Sequence, residues 1–131
     1  MIALDTNVVV RVLTNDDPAQ ARRATRLLTR EEVFLPKTVV LESEWVLRHA
    51  YGLDRSVISR AFRKFLGLPT VSAEHSSAMD QALAWYDEGL DLADALHLAS
   101  AREAGATGFA TFDRECARKA RKLSDARIVI P

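Results

Sequence analysis

A single cysteine, Cys116, stands in a chain of 131 residues. It excludes an internal disulfide and any cysteine-based zinc cluster, and nothing in it requires an oxidising compartment. No apolar run approaches the length needed to span a bilayer. The opening Met1-Ile2-Ala3-Leu4-Asp5 meets a charge at once, with no basic segment ahead of an apolar stretch. A cytoplasmic protein with no membrane partner is therefore expected. Repeats, low-complexity tracts and linkers are also missing, and the length suits one α/β core, a single domain over residues 1–131. Nor is there an excess of charge of one sign, with 18 Lys+Arg against 18 Asp+Glu. That balance argues at first against nucleic acid, whose dedicated binders are basic overall. The distribution is uneven, however. Residues 73–105 hold seven acids (Glu74, Asp80, Asp87, Glu88, Asp91, Asp94, Glu103) and one base, Arg102, so a local charge of −6 faces +6 elsewhere.

What is present alternates between strands and helices. Met1–Leu4 reads as a buried strand, followed by a helix that starts at Asp5-Thr6-Asn7. Asn15-Asp16-Asp17-Pro18 breaks that helix and opens the next, since Asp before Pro is a start signal. Ala19–Arg30 has helical apolar spacing at Ala21, Ala24, Leu27 and Leu28. Glu32–Pro36 is a strand cut off by proline, Val39–Tyr51 a helix stopped by Gly52, and Arg55–Leu66 a helix with one apolar face. Thr70–Ser72 is a brief strand. Helices are predicted over 74–88 and 92–104, a strand over 108–111, a helix over 114–122 and a last strand over 127–130. This order predicts an α/β fold, a three-layer α/β/α sandwich around a mostly parallel sheet.

Ligands of an open parallel sheet collect at the carboxyl ends of its strands. Two predicted strands end in aspartate, Asp5 and Asp113. Each alone can cap the helix that follows. Both at one sheet end bring like charges together, which is costly unless a cation neutralises them. On the third helix, Glu44 has Arg48 four residues later and is expected on the solvated face as a helical ion pair. Glu42, beside Val39, Trp45 and Val46, is expected on or next to the apolar face, where a carboxylate needs a cation or a hydrogen-bonding site. Asp91 suits the N-cap of the following helix and Asp94 its third position, where acids favour the helix dipole. Asp94 is also flanked by Leu92, Ala93, Leu96 and Ala99. His97, alone on a mostly apolar helix, is expected to be packed and hydrogen-bonded. Four carboxylates, Asp5, Glu42, Asp94 and Asp113, are thus expected to converge. Oxygen ligands without cysteine select Mg²⁺ or Mn²⁺, one or two ions, over zinc.

These residues resemble a known family. Ile2-Ala3-Leu4-Asp5-Thr6-Asn7, Val40 to Leu47 around Glu42, Asp91 to Ala99 around Asp94, and Ala110-Thr111-Phe112-Asp113 are similar to the motifs of PIN-domain ribonucleases, most closely the VapC-type toxins of toxin–antitoxin pairs. The likeness covers essentially the whole chain. It implies a PIN-like fold and an acidic quartet of Asp5, Glu42, Asp94 and Asp113 holding Mg²⁺ or Mn²⁺. Thr6, Asn7 and Thr111 match polar residues that orient carboxylates or metal-bound water, with Asp91 in support. The implied activity is endoribonuclease action on structured RNA such as tRNA or rRNA. A homodimer and a cognate VapB-type antitoxin, lying across the active-site groove and carrying any contact with DNA, are also implied.

Basic residues supply what the motif does not. Arg22, Arg23, Arg26 and Arg30, then Arg55, Arg60, Arg63 and Lys64, then Arg114, Arg118, Lys119, Arg121, Lys122 and Arg127 fall on three predicted helices and their flanks. They suit phosphate contacts that position RNA without reading its sequence. Arg114, next to Asp113, is expected closest to the scissile phosphate. A dehalogenase-type phosphatase would want a second aspartate where Asn7 stands, and a receiver domain does not explain Glu42 beside Trp45. A nuclease acting on DNA or flaps, and a silent partner-binding module, are the remaining alternatives. For a dimer surface, Val57, Ile58 and Phe62 or Leu83 and Trp85 are candidates that serve equally as core.

Overall fold

The computed structural model describes residues 1–131. They pack as two compact units, Met1–Glu74 and His75–Pro131.

The first unit holds β1 (Ile2–Ala3), α1 (Thr6–Thr14), α2 (Pro18–Arg30), β2 (Val33–Leu35), α3 (Lys37–His49), α4 (Arg55–Leu66) and β3 (Val71–Ala73). The strands form one parallel sheet in the order β1-β2-β3, with Ile2 level with Val33 and Leu35 level with Ala73. In the central strand Val33 and Leu35 are fully buried, as a strand flanked on both sides requires. α1 packs on both α2 and α3. Asp17 caps α2, its side chain accepting a hydrogen bond from the Gln20 amide (3.1 Å), and Pro18 takes the first helical position, where its missing N–H costs nothing. α4 spans the predicted residues and buries Ile58, Phe62 and Phe65. Ile58 and Phe62 are therefore core rather than dimer surface; of that group only Val57 is exposed.

α3 begins at Lys37, earlier than predicted, because its first amide is satisfied from a distance. Pro36 offers no side-chain cap, and the Glu74 carboxylate, just past β3, accepts from the Lys37 amide (2.8 Å). Glu74 does not open the next helix, which starts at Ser76.

The second unit holds α5 (Ser76–Asp87), α6 (Leu92–Glu103), β4 (Gly108–Ala110), α7 (Arg114–Leu123) and β5 (Arg127–Val129). β4 and β5 pair in parallel, joined through α7. α5 and α6 pack against each other through Ala78, Met79, Ala82 and Leu83 on one side and Ala95, Leu96 and Ala99 on the other. Leu83 and Trp85 are buried here, so they too are core. The Trp85 indole N–H donates to the Leu123 carbonyl (3.1 Å), the partner a buried tryptophan needs. Between α5 and α6 Gly89 has φ of +105°, with open space where a Cβ would stand. Gly89→Ala should thus cost only backbone strain, about 1 kcal/mol, read as a lower thermal midpoint with no loss of helix content.

All strand pairing is parallel, as an α/β fold of this order predicts. No helix is long and apolar enough to cross a membrane.

Candidate active site

In the first unit the chain leaves β1 and turns into α1 at Asp5. The Leu4 amide still bonds the Phe34 carbonyl across the sheet (3.0 Å), so Asp5 stands at the carboxyl end of β1. Its backbone is extended, and one carboxylate oxygen accepts from the Thr6 amide (2.8 Å). The side chain is exposed, Thr6 is buried behind it, and Asn7 is exposed on the first turn of α1. Asn7 lines an open cavity of about 530 Å³ with Val8, Arg11, Gln20, Arg23, Ala24 and Leu27. The Arg11 guanidinium is fixed there by Gln20 (2.7 Å) and Asp16 (3.0 Å).

α3 reverses the expected burial of its two glutamates. Glu42 is exposed, whereas Glu44 is 1 % exposed. The pairing of Glu44 with Arg48 is as predicted, with the Arg48 Nε donating to Glu44 at 2.7 Å and a second nitrogen at 3.4 Å, but the pair lies inward. The buried stripe of α3 is Val40, Ser43, Glu44 and Leu47. Val39, Trp45 and Val46, which suggested an apolar face around Glu42, lie off that stripe, and Trp45 is 57 % exposed. A helix with apolar side chains on both sides does not announce which one is inside.

In the second unit the starts of α6 and α7 come together around one thiol. Asp91 caps α6, accepting from the Ala93 amide (3.1 Å), and Asp94 occupies the first turn, half-buried. Asp113 caps α7, accepting from the Cys116 amide (2.9 Å), while the Asp113 amide donates to the Thr111 hydroxyl (3.0 Å). The Cys116 side chain lies beside Asp94. Burial pushes the Asp94 carboxyl above its usual range, and the negative charges of Asp91 and Asp113 push the same way. The opposing effects of Cys116 and of the charge of His97 do not reverse it. Burial, then Asp94, Asp113 and Asp91, push the Cys116 thiol up to about 11. His97 is exposed rather than packed.

Asp94 and Asp113 therefore do share one neighbourhood, with Asp91 beside them. Within neither unit is a group of three or more His, Cys, Asp or Glu side chains gathered closely enough to hold a metal ion. The carboxylates of α6 and α7 feel one another's charge without forming a finished cage. Their chemistry fits a hard divalent cation, which takes oxygen donors and relieves the repulsion that raises Asp94.

Cys116 was legible only as a lone cysteine, although its place three residues after a capping aspartate puts its amide in reach of that carboxylate. It is 4 % exposed. Buried and held as a thiol, it should react with iodoacetamide at pH 8 about a hundredfold more slowly than a free cysteine, with full reactivity on unfolding. Rapid labelling of the folded chain would contradict this environment.

Carboxylates that cap helices at strand ends of a parallel α/β fold stand where the ligands of such folds collect. The PIN domain family matches residues 2–122, and the chain belongs to that family, whose members are in general nucleases that hydrolyse phosphodiester bonds. No curated protein matches the chain.

Proposed function

We propose that the chain is a Mg²⁺- or Mn²⁺-dependent endoribonuclease, the VapC-type toxin of a toxin–antitoxin pair, cutting structured RNA such as tRNA or rRNA. The observation that carries this reading is the placing of Asp91, Asp94 and Asp113 at the starts of α6 and α7, near enough for the charges of Asp91 and Asp113 to act on Asp94.

Asp5, Glu42, Asp94 and Asp113 would hold the ion or ions. When bound, a divalent cation supplies positive charge at the phosphodiester and makes a hydroxide available from water near neutral pH. The rest is done by side chains of this chain. Asp5 and Asp113 each commit one oxygen to a backbone amide, which fixes the direction of the other. Thr111 steadies the turn that carries Asp113, and Asp91 holds the first turn of α6. Thr6 and Asn7 support Asp5. Arg114 is exposed next to Asp113 and suits contact with the scissile phosphate. The exposed Arg22, Arg23, Arg26 and Arg30 of α2 and Arg121 and Lys122 of α7 suit flanking phosphates, which carry affinity but no sequence information.

Attack by water on phosphorus with the 3′-oxygen as leaving group leaves a 5′-phosphate and a 3′-hydroxyl, and the RNA 2′-hydroxyl takes no part. The products of brief expression without antitoxin should carry these ends, mapped by ligation that requires a 5′-phosphate, and EDTA should stop their formation. Cyclic 2′,3′-phosphate ends would overturn the mechanism. A cognate VapB-type antitoxin and a homodimer complete the proposal, with DNA met only through the antitoxin. Co-expression with such an antitoxin is expected to suppress the cleavage.

A further inference from the structure

Phe112 is the one phenylalanine that the fold leaves in water. The chain has five; Phe62 and Phe65 are buried, Phe34 and Phe109 are half-buried, and Phe112 is 77 % exposed. It is not on a loose segment. On one side the Thr111 amide bonds the Val129 carbonyl (2.9 Å), extending the β4–β5 pairing. On the other the Asp113 amide is held by the Thr111 hydroxyl (3.0 Å), and the Asp113 carboxylate caps the Cys116 amide (2.9 Å) above buried Cys116 and Ala117. The turn that fixes a proposed metal-binding carboxylate thus also holds an aromatic face out to solvent.

We propose that Phe112 is a stacking platform for one nucleobase beside the phosphate handled at Asp113, and so a positioning residue of the nuclease. The inference rests on the RNA-cutting reading given above. An aromatic face takes any base, because every base has a π-face, and charged groups alongside hold the backbone. Asp113 and Arg114 follow the ring in sequence, and the exposed Arg114, Arg121 and Lys122 belong to the helix that starts there. A protein partner fits less well, since protein interfaces bury a broad patch with an apolar centre. Here the next residues along the turn are polar or charged.

The test is a short single-stranded RNA carrying 2-aminopurine, whose fluorescence is quenched by stacking, titrated in EDTA with the full chain. Cleavage kinetics in Mg²⁺ are measured in parallel. The wild-type chain and Phe112→Trp should quench, whereas Phe112→Ala and Phe112→Leu should not, and both should weaken RNA binding about 5- to 150-fold. The loss should appear mainly in KM. Leucine keeps apolar bulk without a π-face, so its failure separates stacking from packing. If the chain cuts RNA while quenching and KM ignore Phe112, this inference falls and the nuclease reading stands. Quenching that depends on Phe112 in a chain that cuts nothing would support stacking and overturn the nuclease reading. A chain that neither binds nor cuts RNA overturns both. A change of oligomeric state in Phe112→Ala with quenching intact would assign the ring to a protein contact instead.

Discussion

Asp94→Asn is expected to lower RNA cleavage by about 10²-fold or more while leaving the metal-free fold as stable as the native chain or more so. Asparagine nearly matches aspartate in volume, so packing beside Cys116 is kept and only charge is lost. The carboxyl of Asp94 binds its proton more tightly in the folded chain than in the unfolded one, owing to burial and then to Asp91 and Asp113. Its contribution therefore opposes folding once the group is ionised: stability declines as pH rises from the ordinary aspartate range through the raised folded value. Thermal midpoints in EDTA at neutral pH should be equal or higher for the variant, with the advantage gone in acid. Added Mn²⁺ should stabilise the native chain more than the variant. Unaltered cleavage would remove Asp94 from the site, and a marked loss of stability in EDTA would remove the electrostatic account. Asp5→Asn should lose cleavage in the same way, with its cap retained, since asparagine caps a helix as well as aspartate.

Arg48→Met should be the most destabilising change on α3, by about 3–5 kcal/mol. The Glu44 side chain is 2 % exposed and the Arg48 side chain 32 %, so the acid is the inward member and the base reaches it from the edge. Taking away the guanidinium leaves a carboxylate in the interior without two charge-assisted hydrogen bonds, which costs far more than an exposed pair ever contributes. Removing both members together, as Glu44→Leu with Arg48→Met, should cost much less than Arg48→Met alone, because no charge then remains inside. Urea unfolding of the three variants measures the order. If Arg48→Met unfolded at the native midpoint, the pair would be a surface feature after all.

The contrast between α4 and α3 explains what could be read from the sequence. α4 has one apolar stripe, Ile58, Phe62 and Phe65, between Asp54 and Gly67, and both its limits and its inner face follow from that spacing. α3 carries Val40 and Leu47 inside, Val39 half-buried and Trp45 outside, so periodicity leaves the face open and does not tell which glutamate is the inner one. The acids of the second unit were readable because Asp91 and Asp113 are helix caps and Asp94 a first-turn acid, local devices with a local signature. Asp91, Asp94 and Asp113 lie where capping logic puts them. The thiol between two of them was not readable, since its place beside Asp94 depends on how two helices pack. Phe112 was visible only as part of a motif; its exposure is a property of the turn.

Glu74 is where the first unit ends, and it is also the residue that satisfies the opening amide of α3. The last side chain of that unit thus finishes a helix begun 37 residues earlier. During synthesis α3 would emerge with its first turn open and be closed only when β3 had been made. A polypeptide released one residue short of this point would keep every strand of the sheet but lose both the acceptor for the Lys37 amide and the bond from the Glu74 amide to the Leu35 carbonyl (2.9 Å), so one residue closes the sheet and the helix together.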